Sequence, residues 1–230
     1  MNYKNDELNE LTYDLALEYD KRSYCQYYIA LLKAKHIFIF SFCNTEDYNS
    51  RLIKIDLFFI SFAVYYTINA LFFNDDTMHK IYVNKGSYDL ETQLPITIYS
   101  SIISTIFNFL LTLLALSNDS IINFKKNKTK EDVEKRGNKL NICLKFRFII
   151  YFFLSYIMLL FFWYYITMFG VIYRNTQYHL LKDTLLSFGL SLIYPFGIYL
   201  IPGIFRIPSL SNPKKKREYL YNFSKLLQFL

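Results

Sequence analysis

Apolar positions in this chain do not alternate with polar ones; they run together. Four stretches carry no Asp, Glu, Lys, Arg or His: residues 57–73, 94–117, 148–173 and 184–205. Seventeen residues rise about 26 Å as a helix, close to the ~30 Å of a bilayer's hydrocarbon core, and the other three runs are longer. Barrel strands would alternate apolar and polar residues over about ten positions, and these runs do not. In lipid each backbone N–H and C=O has to be satisfied within its own segment, so continuous runs of this length become helices. The pattern predicts an all-α integral membrane protein with four transmembrane helices.

Two shorter patterns flank them. Tyr24, Tyr27, Tyr28, Leu31 and Leu32 recur at helical spacing and lead into IFIFSFC at 37–43. We read 20–43 as one amphipathic helix in the membrane interface. The tail repeats the scheme. Pro208 and Pro213 bracket a loop, Lys214, Lys215, Lys216 and Arg217 form a basic block, and Tyr219, Leu220, Phe223, Leu226, Leu227 and Leu230 share one face. The division expected is a cytoplasmic N-terminal region, 1–56, a four-helix membrane domain, 57–205, and a cytoplasmic basic tail, 206–230. The segment 118–147 is a cytoplasmic loop holding the mixed-charge stretch KKNKTKEDVEKR.

Charge sets the orientation. Lys and Arg number seven in 1–56, nine in 118–147 and six in 206–230, against two in 74–93 and two in 174–183. The basic side is retained in the cytoplasm, so both termini and the middle loop belong there. The sequons at Asn118, Asn127 and Asn222 all fall on that side, where no glycan is added. The polar start MNYKNDELNE has no signal-peptide character, so the first span serves as its own insertion signal. Three cysteines in 230 residues build no disulfide framework; Cys43 and Cys143, near span entrances, are candidates for S-palmitoylation. The net charge of +7 faces anionic lipid at the tail, and no nucleic-acid motif accompanies it. The partners expected are the bilayer and other membrane proteins or further copies of the chain.

Candidate chemistry is sparse. Spans without ionisable groups argue against a charge-driven pump. Polar stripes run along three of them: Ser61, Tyr65 and Asn69; Ser101, Thr105, Asn108 and Thr112; Ser187, Ser191 and Tyr194. Facing one another, they serve either interhelical hydrogen bonding or a permeation path. Gly189, Pro195, Gly197, Pro202 and Gly203 break the fourth span, which implies a central, kinked position or a discontinuous helix shaping a site. Asp75 and His79 in one outer loop, and His179 and Asp183 in the other, are i, i+4 pairs of metal-ligating type. Their spacing matches no metal or acid–base motif, and no cofactor is expected. Glycine-rich nucleotide loops and nucleophile elbows are absent from the sequence.

Two segments, DYNSRLIKIDLFF…INALFFNDDTMHKIY over 47–82 and NTQYHLLKDTLLSFGLSLIYPFGIYLIPGIFRIPSL over 175–210, resemble the membrane-embedded C-terminal region of large, uncharacterised multi-pass proteins of protists with A/T-rich genomes. The likeness spans most of 20–230. It implies no activity, and it implies either that Met1 is an internal start or that the chain is a gene-model fragment of a longer one. The functional expectation is therefore a non-enzymatic anchoring or assembly module, with a channel or transporter subunit as the alternative.

Overall fold

The computed structural model describes residues 3–44, 47–83, 90–126, 133–173, 176–211 and 217–228; of 90–93 and 126 only the backbone is described. The described residues form helices joined by short turns, with no strand among them. Four helical stretches are long and apolar enough to cross a membrane: Arg51–Phe72, Leu94–Ala115, Val133–Val171 and Gln177–Leu210. They contain the four uncharged runs, apart from a few residues at their ends. The chain divides into two compact units, Asn49–Ser191 and the pairing of Met1–Tyr48 with Leu192–Leu230.

The larger unit is built on α5 (Arg51–Phe72), α7 (Leu90–Ala115) and α9 (Val133–Val171), which pack pairwise. Helix α5 is central. Leu57, Ile60, Val64 and Ile68 recur every three to four residues and meet Leu111 and Ala115 of α7 and Tyr151 of α9. The line Thr97, Ser100, Ser104, Leu111, Ala115 is the buried face of α7; such small residues let helix backbones approach closely. Ends are capped by side chains. Arg147 donates to the carbonyls of Leu113 and Leu116 at the end of α7 and to Ser120 Oγ, while Asn49 Oδ1 accepts from the N–H groups of Ser117 and Asn118. These bonds satisfy groups that a helix terminus leaves open.

Several boundaries differ from the sequence reading. The segment 74–93 carries its own helix, α6 (Asp75–Val83), and α7 begins at Leu90. The middle segment is not a plain loop: α8 (Asn118–Lys126) follows α7, and α9 starts fifteen residues ahead of the uncharged run, at Val133. Helix α10 (Gln177–Ile198) begins inside what reads as an outer loop. Periodicity hides such extensions because a polar helix end resembles a loop in composition.

The smaller unit holds the terminal regions. Residues 20–43 are two helices, α3 (Tyr24–Lys35) and α4 (Ile37–Phe42), divided at His36. Ahead of them lie α1 (Asn5–Asn9) and α2 (Tyr13–Tyr19). Pro208 does not open a loop; it lies inside α11 (Leu200–Leu210), which carries Arg206 with it. The interruption of the fourth long helix falls at Tyr199. Pro202 explains it, since its ring clashes with the carbonyl of residue i−4 and it has no N–H to offer there. Of the glycines, a side chain at Gly189 or Gly197 would meet open space, whereas a Cβ on Gly203 would lie 2.7 Å from the Tyr24 ring. Gly203 alone of the three marks a close approach. Helix α12 (Glu218–Leu227) closes the unit by packing along α11.

Candidate functional site

Two clusters of buried polar side chains are candidate sites, one in each unit. In the larger unit the buried face of α10 is unexpectedly polar. Thr176, His179, Asp183, Thr184 and Ser187 are buried there, with Leu180 and Phe188 between them. The first two turns of α10 therefore bury a histidine and a carboxylate that the sequence reading placed in an outer loop.

Asn69 of α5 meets this face. It is fully buried, and its Nδ2 donates to Thr184 Oγ1 at 3.3 Å and to Ser187 Oγ at 3.0 Å. The two hydroxyls spend their own protons on α10 carbonyls, Thr184 on Leu180 O at 2.8 Å and Ser187 on Thr184 O at 3.1 Å. Both can only accept from Asn69, and this settles which amide atom faces them. Asn69 Oδ1 points elsewhere and finds no donor among the described residues; His179 Nδ1 is likewise without a hydrogen bond.

The expected stripes meet in part. Tyr65 lies 3.4 Å from Thr105 Oγ1, which joins the first stripe to the second, and Asn69 with Ser187 joins the first to the fourth. Ser61 is buried on α5. Most other hydroxyls turn back on their own helix: Thr105 to Ser101 O, Thr112 to Asn108 O and Ser191 to Phe188 O. Ser101, Asn108 and Thr112 are half-buried and Tyr194 is exposed. The more deeply buried polar line on α7 is Ser100 and Ser104, one residue off the stripe. The serine pair at i, i+4 was the available signal. Asp75 and His79 are exposed on α6, His179 and Asp183 are buried on α10, and among the described residues no three metal-ligating side chains converge.

In the smaller unit the centre is Arg206, whose side chain is fully enclosed. Its Nε and Nη2 donate to Asp20 Oδ2 at 3.0 and 2.9 Å, and Nη2 also donates to Leu8 O at 2.7 Å. The guanidinium stacks near the rings of Tyr221, 4.7 Å from its centroid, and Tyr27, at 5.2 Å. Arg22 forks across the same carboxylate, its Nε donating to Oδ1 at 2.7 Å and its Nη2 to Oδ2 at 2.8 Å. Burial alone would push the Asp20 carboxyl up, but the two guanidinium groups together hold it below its ordinary value. Burial likewise raises the Tyr27 and Tyr221 phenols, so both stay protonated as donors or acceptors. Tyr221 donates to Leu11 O at 2.8 Å, and Gln228 donates to the Tyr27 hydroxyl at 2.7 Å.

A second set of contacts ties α3 and α4 to the segment that holds the prolines. Tyr24 donates to Leu200 O at 2.8 Å and Tyr28 to Phe196 O at 2.9 Å, while His36 Nε2 meets Leu192 O at 2.7 Å. The acceptors are spaced by four residues, and the donors run in the opposite direction along the chain. His36 Nδ1 accepts from the N–H of Ile39, so Nε2 carries the proton in this arrangement. Sequence reading assigned Tyr24 and Tyr28 to an apolar face and missed their hydroxyls. Of the basic block, Lys214, Lys215 and Lys216 lie outside the described residues. Arg217 donates its backbone N–H to the Tyr13 hydroxyl at 3.0 Å and its Nη1 to Pro208 O at 3.4 Å.

No family model, curated protein or solved structure matches the chain.

Proposed function

We propose that this chain is a four-span integral membrane protein, with both termini in the cytoplasm, that serves as an anchoring or assembly module rather than as an enzyme. One observation carries the reading: the apolar surface points outward. Ile98, Ile102, Ile106, Phe109 and Leu113 on α7, and Ile149, Phe153, Tyr156, Leu160 and Trp163 on α9, are exposed in long rows, and contiguous apolar faces of this kind mark membrane or protein contacts. Such faces suit lipid tails and neighbouring helices. The stripe hydroxyls support packing over conduction, because most are already bonded within their helix or across one helix contact.

The interfacial placement of the terminal helices belongs to this proposal. Tyr219 and Leu226 of α12 and Phe38 and Phe42 of α4 remain exposed, and Lys33 and Lys35 flank them, which fits a lipid boundary. A copy tagged at its C-terminus, solubilised in mild detergent, tests the assembly role on native gels and by cross-linking in the membrane. A discrete complex larger than the protein–detergent monomer is the expected result; a lone monomer under both methods contradicts it.

The burial of His179 and Asp183 beside the Asn69 contact favours a second reading, a transport subunit, since ionisable groups inside membrane proteins commonly mark pathways. Purified protein in liposomes distinguishes the two. Cation or proton flux that Asp183→Asn abolishes supports transport; absence of flux dismisses it.

A further inference from the structure

Beside Arg22, an open surface pocket of about 360 Å³ is lined by Asn5, Arg22, Gln26, Ile29, Ala30 and Lys33. Its charge is what singles it out. Asp20 is shared by two guanidinium groups, Arg22 and Arg206, so the ion cluster carries a surplus positive charge. Arg22 is held at its Nε and Nη2 by Asp20 and Asn9, and its Nη1 has only a long contact, 3.4 Å, to Asn5 O. Eleven residues on, Lys33 adds an exposed ammonium to the same wall. Gln26 contributes a donor as well. Its Oε1 is occupied by the Ser23 N–H at 2.9 Å in the capping box of α3, which leaves the Nε2 hydrogens to donate.

A fixed guanidinium edge, an ammonium and a carboxamide N–H around one hollow are the donor set that recognises a phosphate, with Ile29 and Ala30 offering an apolar wall beside it. We propose that this open pocket binds a phosphate monoester, of the size carried by a phosphorylated inositol headgroup. The source is either a membrane lipid or a soluble phosphate ester.

The test uses the full chain in detergent, titrated with short-chain phosphatidylinositol 4-phosphate, with phosphatidylserine and with soluble inositol phosphate, and read by native mass spectrometry. Two variants spare the fold. Gln26→Glu keeps the capping-box oxygen while replacing the donor with a negative charge, and Lys33→Gln changes an exposed residue. The expected result is retention of the phosphomonoester lipid, weakened about tenfold in each variant, the scale of one charge-assisted hydrogen bond. Equal binding of the soluble ester supports the site with a soluble source, and binding of the lipid alone supports a membrane source. Wild-type affinity in both variants, phosphatidylserine binding as tightly as the phosphomonoester, or no binding of any of the three overturns it.

Discussion

Arg206 and Asp20 stand 186 positions apart in sequence, yet their side chains meet at 2.9 Å in a fully buried ion pair. The pair closes the smaller unit: it brings the N-terminal helices against α11, and α12 covers it through Tyr221. Removing one partner of such a pair leaves an uncompensated buried charge, which costs more than the pair itself contributes. Asp20→Asn leaves two guanidinium groups facing each other and is expected to cost about 3–5 kcal/mol. Arg206→Met leaves Asp20 with Arg22 and costs less. Hydrogen exchange across α11 and α12 in detergent measures both; equal protection in the two variants would refute the asymmetry.

The same carboxylate sets a pH dependence. Its pKa in the folded protein lies below the ordinary value of 3.8. Its contribution is therefore complete above the unfolded pKa and is lost as pH falls through the folded one. Protection of α12 is expected to hold down to about pH 4 and to decline below it, and Asp20→Asn is expected to abolish that step. A decline in wild type that the variant reproduces unchanged would assign the effect to another group.

Gly203 gives a sharper steric test. A Cβ there would lie 2.7 Å from Tyr24 Cε2 and 3.3 Å from Tyr27 Cδ1. Gly203→Val is expected to lower stability by about 1–3 kcal/mol, the usual cost of overpacking. Adding Tyr24→Ala should recover part of that loss, since neighbouring sites couple. Thermal unfolding in detergent reads the cycle, and strict additivity would show that the contact is not the cause.

At Asn69 the expected effect is small. Asn69→Leu removes two donations, yet Thr184 and Ser187 keep their bonds to α10 carbonyls. Membrane hydrogen bonds contribute about 0.6 kcal/mol each, so a loss near 1 kcal/mol is expected. A much larger loss, measured by unfolding in mixed micelles, would mean that Asn69 Oδ1 also has a donor that matters.

The long helices were legible because uninterrupted apolar runs admit one solution in lipid. Their ends were not. His179 and Asp183 looked like loop residues because the first turns of α10 mix charged and polar residues with Tyr178, Leu180 and Leu181, and only packing shows which face is covered. Arg206 read as the first residue of a basic tail, since a single arginine after an apolar run is what membrane retention produces. Its partner Asp20 was read as the polar start of the 20–43 helix, and nothing in that pattern connects it with position 206. Tyr24 and Tyr28 were legible as a helix face but not as donors, because a tyrosine's apolar ring and its hydroxyl support different readings at one position. Ser100 and Ser104 were overshadowed by a longer polar stripe one residue away.

The placement of four helices through one bilayer with a shared basic side underlies the whole account, and the native cysteines test it. Cys25, Cys43 and Cys143 are all exposed on the protein, and all three belong to the side assigned to the cytoplasm. Asp76→Cys would add an exposed thiol on α6, on the opposite side. Labelling of sealed vesicles that hold the cytoplasmic face inside, with a membrane-impermeant maleimide, is expected to modify position 76 alone, and permeabilisation is expected to expose the other three. Modification of Cys143 from outside while Cys25 and Cys43 stay protected would contradict the four-span topology.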